Sequence, residues 1–464
     1  MHPLVTLLIG IVTIIGLIVV FRVHAFIALI VSALVVSFLA PGDVAQMVPR
    51  VAMEFGAAAG KIGIVIALAS VIGVCMMESG AADRIVRAFL RLLGEPRAPV
   101  ALTGSGYVLA MPVFFDTVFY LLVPLARSLY RRTGKNYLLS LLAIVAGGAI
   151  THTLVPPTPG PLVMAAQLQV DLGVMILAGM VVALPTAAVG LLFSAYVNRR
   201  MPLPMREVPG LPTTEPLPDD QLPPLGLSLL PVLLPVLLIT LQTVVAAMAE
   251  NDPTIKDNYL PYAKLVGDAN LALLLSAAMA VSLYVRQRRP SKERIAHLIE
   301  TSLMSGGVII LITAAGGAFG AMLKAAEIGP AVEQLFAGTQ ASGLMYLGLG
   351  FGISVVLKVA QGSSTVAMIT ASSMLAAMLQ VGIEPPAVIA DKLGYHMVYL
   401  ALAIGAGSLV GSWMNDSGFW IFVKMGGLTE VEGLKTWTPL LAVLGSTAMI
   451  ITVIFALIIP LRQL

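Results

Sequence analysis

The chain has 464 residues, of which 58% are hydrophobic and only 11% charged, with a formal net charge of +3. A soluble domain carries about 25% charged residues, so this balance excludes a soluble enzyme and points to an all-α polytopic membrane protein. The basic residues gather in loops, where they report topology and give no reason to expect a nucleic-acid partner. The single cysteine, Cys75, sits in an apolar run without a partner for a disulfide or a metal motif, and no metal or cofactor is expected.

A membrane-spanning helix needs roughly 20 apolar residues, and ten runs are read as spans. The first, 3–21, has no Lys or Arg before it and no small-residue cleavage site, so it reads as a true span rather than a leader. Runs 24–40 and 57–78 follow, the latter with Lys61 and Glu78 near its ends, placed to reach the interfaces. Residues 82–94 read as an amphipathic helix along the membrane surface. The next stretch, 99–127, is bounded by Arg84, Arg87, Arg91 and Arg97 before it and by Arg127, Arg131, Arg132 and Lys135 after it. Basic flanks mark the cytoplasmic side, so 99–127 is a re-entrant hairpin with its tip at MPVFFD, where Pro112 supplies the break.

Run 138–170 contains AITHTLVPPTPGPLV (149–163), with Pro156, Pro157, Pro159 and Pro161. Proline lacks the backbone donor and clashes with the preceding turn, so this helix breaks. Run 173–197 completes the first half, 1–197. The proline- and charge-rich segment 198–226 reads as a cytoplasmic linker, and 227–464 forms the second half. That half holds runs 227–249, 264–285 and 303–324, an amphipathic stretch at 328–338, a second hairpin at 342–382, a second broken helix at 389–425 and a last run at 437–460. Alternation of the loop charges puts both termini outside.

The halves resemble one another. IGVCMMESGAADRIVRAFLRLLG (72–94) parallels GAFGAMLKAAEIGPAVEQLFAG (317–338), Asp116-Thr117-Val118 parallels Ser364-Thr365-Val366, and IVAGGAITHTLVPPTPGP parallels AIGAGSLVGSWMNDSGFW. Five crossings per half is odd, so the second half is inverted. The expected fold is two inverted repeats of five spans, each with a re-entrant hairpin and a broken helix, the signature of a secondary transporter. Broken backbone at membrane depth is tolerated only where it lines a cavity.

Four tips are expected to converge: 112–117, 152–161, 361–365 and 415–418. Helix N-termini there suit an anion. The substrate-binding set is Asp116, Thr117, His152, Thr158, Gly160, Gln361, Ser363, Ser364, Thr365, Asn415, Asp416 and Ser417. Intramembrane carboxylates are functional by default, so Asp116 and Asp416, with His152, are the candidates for proton coupling. Lys358 either offsets the solute's negative charge or pairs structurally with a carboxylate.

At MPVFFD, HTLVPPTPGP, QGSSTVAMITA and NDSGFW, and again at GLTEVEGLKTW (427–437), the chain resembles the gluconate permease family within the ion transporter superfamily, from about residue 5 to 460. The resemblance implies proton-coupled uptake of gluconate or a related sugar acid across a bacterial inner membrane, and some relatives carry D-serine, idonate or fructuronate. It further implies a homodimer embedded in membrane lipid, with a scaffold part and a mobile transport part. His152 matches one family histidine, whereas Thr158 stands where family members commonly have another. The alternatives are a sodium-coupled carboxylate carrier or a D-serine-type transporter of the same family. An intramembrane enzyme using Asp116 and Asp416 would leave the repeats unexplained.

Overall fold

The computed structural model describes residues 2–461 except 207–217, 219–220, 250–251, 329, 332–342 and 415, and at 15, 18, 19, 95 and 361 it describes the backbone alone. Among the described residues the chain is helical, with one isolated bridge between Val381 and Glu384. Among the described residues, eight helices are long and apolar enough to cross a membrane. A ninth span is possible if Pro386–Leu393 and Met397–Gly407, bent by 67° at 394–396, count together.

This is fewer than the ten spans expected. Pro3–Ile15 and Ala25–Leu39 hold 13 and 15 residues, so at 1.5 Å per residue they reach only about 20 and 22 Å. The apolar run continues past Ile15, but Gly16–Val20 winds as a π-helix, a change of geometry that hydropathy does not register. The last helix, by contrast, starts earlier than its apolar run. Thr429 and Glu432 form a capping box, so the helix spans Glu430–Ile458. In the region expected as a second hairpin, Gly343–Ala360 is by itself 18 residues long and apolar enough to cross. The stretch 328–338 lies mostly outside the described residues.

The helix Ala98–Leu109 ends before Pro112, and Phe115–Thr133 starts after it. Tyr137–Leu154 is followed by a break and then Pro159–Gln167, which has proline at its first position, where the missing N–H costs nothing. Gly343–Gln361 and Ser364–Met378 meet at Gly362, whose φ of +85° suits glycine. Met397–Gly407 is followed by Ser417–Gly426.

The Tyr137–Leu154 helix is the centre of the molecule, and nearly all its side chains are buried. Its small residues let neighbours approach closely, as packing inside a membrane favours. A Cβ on Gly147 would lie 2.0 Å from the Thr103 carbonyl oxygen, and Thr103 donates its hydroxyl to Ala143 O at 3.0 Å. A cluster of Phe115, Phe119, Phe422 and Trp437, with ring centroids 5.4 to 5.9 Å apart, binds the 115–133, 417–426 and 430–458 helices together. At one end of the molecule Tyr137 donates to Gly426 O at 2.9 Å, and Arg206 forks onto Glu432 with two contacts of 2.6 Å.

Candidate functional site

A cavity of about 410 Å³ lies where the broken segments meet. Its walls come from 114–117, 149–153, 363–365, 409, 416–418, the middle of the Lys292–Ala325 helix and the start of the last helix. Three helix N-termini point their first turns at it, those beginning at Phe115, Ser364 and Ser417. The unpaired N–H groups of a first turn make such ends favourable to anions.

Asp116 lies in the first turn of the 115–133 helix, half-buried, and makes no hydrogen bond or ion pair among the described residues. Asp416 is held differently. It caps the 417–426 helix through Oδ1, which accepts from Gly418 N at 2.9 Å. Its Oδ2 accepts from Lys358 Nζ at 2.6 Å and from Ser412 Oγ at 2.5 Å. Trp437 Nε1 in turn donates to Ser412 Oγ at 2.7 Å. Lys358 is fully buried and also donates to Gly362 O at 2.5 Å and to Ser364 Oγ at 2.9 Å. Its charge therefore answers Asp416 and the Gly362 carbonyl at the tip. Ser364 passes the chain on by donating to Ser408 O at 2.8 Å.

His152 lines the cavity with its Nδ1 buried and unpartnered among the described residues, and its ring meets Phe114 edge-on at 6.1 Å. Thr117, Ser363, Thr365 and Ser417 line the same space. Thr158 and Gly160 do not. In an unbroken helix the carbonyls of His152 and Val155 would accept from residues 156 and 159, both prolines without an N–H. The Thr158 hydroxyl lies 2.8 Å from His152 O and 2.7 Å from Val155 O, and shares its proton between them. Thr158 is thus a strut across the break. Gly160 packs against Met368, where a Cβ would lie 2.1 Å from the Met368 methyl. Asn415 and the side chain of Gln361 lie outside what is described.

Sequence reasoning missed Ala149, Ser305, Ile309, Leu409, Trp437 and Leu441, which complete the wall. Ser305 carried a usable signal, a hydroxyl in a mostly apolar run. The aromatic and aliphatic residues carried none. Among the described residues no cluster of three or more metal-ligating side chains exists.

The family model described as GntP family permease matches residues 2–458. The chain is 34% identical to a gluconate permease of Pseudomonas aeruginosa over 99% of both chains. It is 31% identical to the low-affinity gluconate transporter of Escherichia coli strain K12 over 93% of both, and 29% identical to that organism's Gnt-II system L-idonate transporter over 94% of this chain and 95% of the relative. In fold it is similar to the YdaH transporter of Alcanivorax borkumensis, with a TM-score of 0.64 at 13% identity over 99% of both chains. It is also similar to MtrF of Neisseria gonorrhoeae, with a TM-score of 0.63 at 15% identity over 96% of this chain and 97% of that one. With its apolar helices and a family match along almost its whole length, the chain belongs to the GntP permease family and is a multi-pass transport protein of the plasma membrane, not an enzyme.

Proposed function

We propose that the protein is a secondary active transporter that takes up gluconate or a closely related hydroxylated carboxylate together with protons. The observation that carries this reading is the 410 Å³ cavity, in which three helix N-termini face a hydroxyl-rich wall. The N-termini receive the carboxylate. Thr117, Ser363, Thr365 and Ser417 offer donors and acceptors to the solute's hydroxyls. The relatives named for gluconate and L-idonate favour this class of solute.

The coupling proton needs a titrating group without a permanent partner. Asp416 is committed to Lys358 and Ser412, so Asp116 is the proton carrier, with His152, which lines the same cavity, as the alternative. Proton binding to Asp116 removes a negative charge from the solute's site, which ties carboxylate entry to protonation. The halves 1–197 and 227–464 act as inverted repeats, with 99–127 entering and leaving from the cytoplasm. The matching breaks at 110–114 and 362–363 support this. The protein works as a homodimer, one part fixed and the other moving the cavity.

Uptake of radiolabelled gluconate into proteoliposomes tests the reading. An inward proton gradient is expected to drive accumulation that a protonophore abolishes, while a sodium gradient alone drives none. Accumulation driven by sodium alone would remove the proton from the mechanism. Cysteines placed at Leu93 and Thr133 should both label only from the cytoplasmic side, and labelling from opposite sides would remove the re-entrant hairpin.

A further inference from the structure

A second cavity, of about 140 Å³, lies at the opposite end of the same helices. The Lys292–Ala325 helix lines both. Ser305 and Ile309 face the first cavity, while Thr313, Gly317, Gly320 and Lys324 face the second. Steps of three and four residues keep these on one face, a single stripe that runs about 28 Å from Ser305 to Lys324 at 1.5 Å per residue. The Ser364–Met378 helix does the same, with Ser364 and Thr365 at the first cavity and Ser373 and Ala376 at the second. Between them sit Met368 and Ile369, fully buried. Met368 closes on Gly160, and Ile369 closes on Gly316, where a Cβ would lie 2.1 Å from Ile369 Cγ2. The two cavities thus lie along the same two helices, separated by the seam that these contacts form.

The chemistry of the second cavity is that of an anion receptor. Lys61 lines it and has no hydrogen-bond or ion-pair partner among the described residues. Lys324 Nζ spends one proton on Val381 O at 2.5 Å, which leaves two. Gln167 accepts from Ser372 Oγ through Oε1 at 2.5 Å, so its amide protons are uncommitted. Gln169 adds a second amide. Against these stands one lining carboxylate, Glu54, so the lining carries one net positive charge. Both lysines lie far along their helices from the basic loops at 84–97 and 286–294. By the positive-inside rule the cavity opens to the outside.

We propose that Lys61 and Lys324 form an outer anion-capture site that takes the carboxylate of the incoming solute before it crosses the Met368–Ile369 seam to the inner cavity. This rests on the transport reading above for its solute, but not for its charge. A cleft whose lining carries a net charge concentrates the opposite ion and speeds its arrival.

Two measurements test it. In vesicles of known orientation, Lys61→Gln should raise the KM for external gluconate by about tenfold, leave the KM for efflux from the inside in place, and be rescued by Lys61→Arg. An unchanged uptake KM, or an equal rise in both directions, overturns the proposal. The second measurement needs no transport. The native Cys75 is buried, so a cysteine introduced by Glu54→Cys is the thiol presented at the cavity. It should react faster with an anionic than with a cationic methanethiosulfonate, and Lys61→Gln should remove the difference. Equal rates whatever stands at 61 overturn the capture site. If the wild-type protein moves no gluconate while the anionic reagent still reacts faster, the choice of solute fails and the anion site stands.

Discussion

Lys358 Nζ lies 2.6 Å from Asp416 Oδ2, with the lysine side chain fully buried and the carboxylate 14% exposed. The two residues are 58 apart in sequence and join the tip at 362–363 to the cap of the Ser417–Gly426 helix. Neither charge would survive there alone, because removing one partner strands the other in a low-dielectric site. The pair therefore welds two broken segments into one body and hands the cavity a locally neutral wall.

Breaking this pair should cost more than deleting it. Lys358→Met and Asp416→Asn should each lower unfolding stability in detergent by about 3–5 kcal/mol. The double variant should cost less than the sum. Additive losses in such a cycle would show that the two groups do not depend on each other.

Asp116 should separate coupling from binding. Asp116→Asn keeps the shape of the side chain but cannot titrate. It is expected to abolish accumulation driven by a proton gradient while leaving solute exchange at equal pH measurable. If Asp116→Asn still concentrates gluconate and His152→Gln does not, the histidine carries the proton.

Thr158 and Ser364 should fail in different ways. Thr158→Val leaves the carbonyls of His152 and Val155 without a donor, so stability should fall by about 1–3 kcal/mol with solute affinity little changed. Ser364 lines the cavity and accepts from Lys358. Ser364→Ala should weaken gluconate binding by about 1–2 kcal/mol. Binding titrations beside thermal unfolding separate the two, and a selective affinity loss in Thr158→Val would return that residue to the site.

The packing of the central helix can be tested at one glycine. Gly147→Ala would drive a methyl to within 2.0 Å of the Thr103 carbonyl oxygen and 3.0 Å of Tyr107 N, both backbone atoms that cannot swing aside. Folded protein recovered by size-exclusion chromatography should drop sharply. Gly56→Ala, with nothing within 4 Å, should be neutral or stabilising by about 0.5–1 kcal/mol. Equal recovery of both variants would mean that the 98–109 and 137–154 helices do not need their close approach.

Much of this protein was legible in the order of its residues because the governing rules are local. Apolar runs must become helices in a membrane. Prolines 156, 157, 159 and 161 cannot donate, so a break near His152 was inevitable. Polar tips at 112–117, 361–365 and 415–418 announced themselves as hydroxyls and carboxylates where apolar residues were due. What hydropathy could not convey was geometry. It did not show that residues 16–20 leave the α-helix, that a capping box extends the last helix back to Glu430, or that 386–393 kinks by 67° against its successor. Nor could it divide the polar residues into those that line the cavity and those that hold the frame. Thr158 braces a break, Asp416 is bound to Lys358, and Lys61 lines the second cavity. Hydropathy sums over neighbours in sequence. Which face of a helix meets a cavity, and which distant charge answers a buried one, is set by how the helices cross, and that was decided only when the whole chain packed.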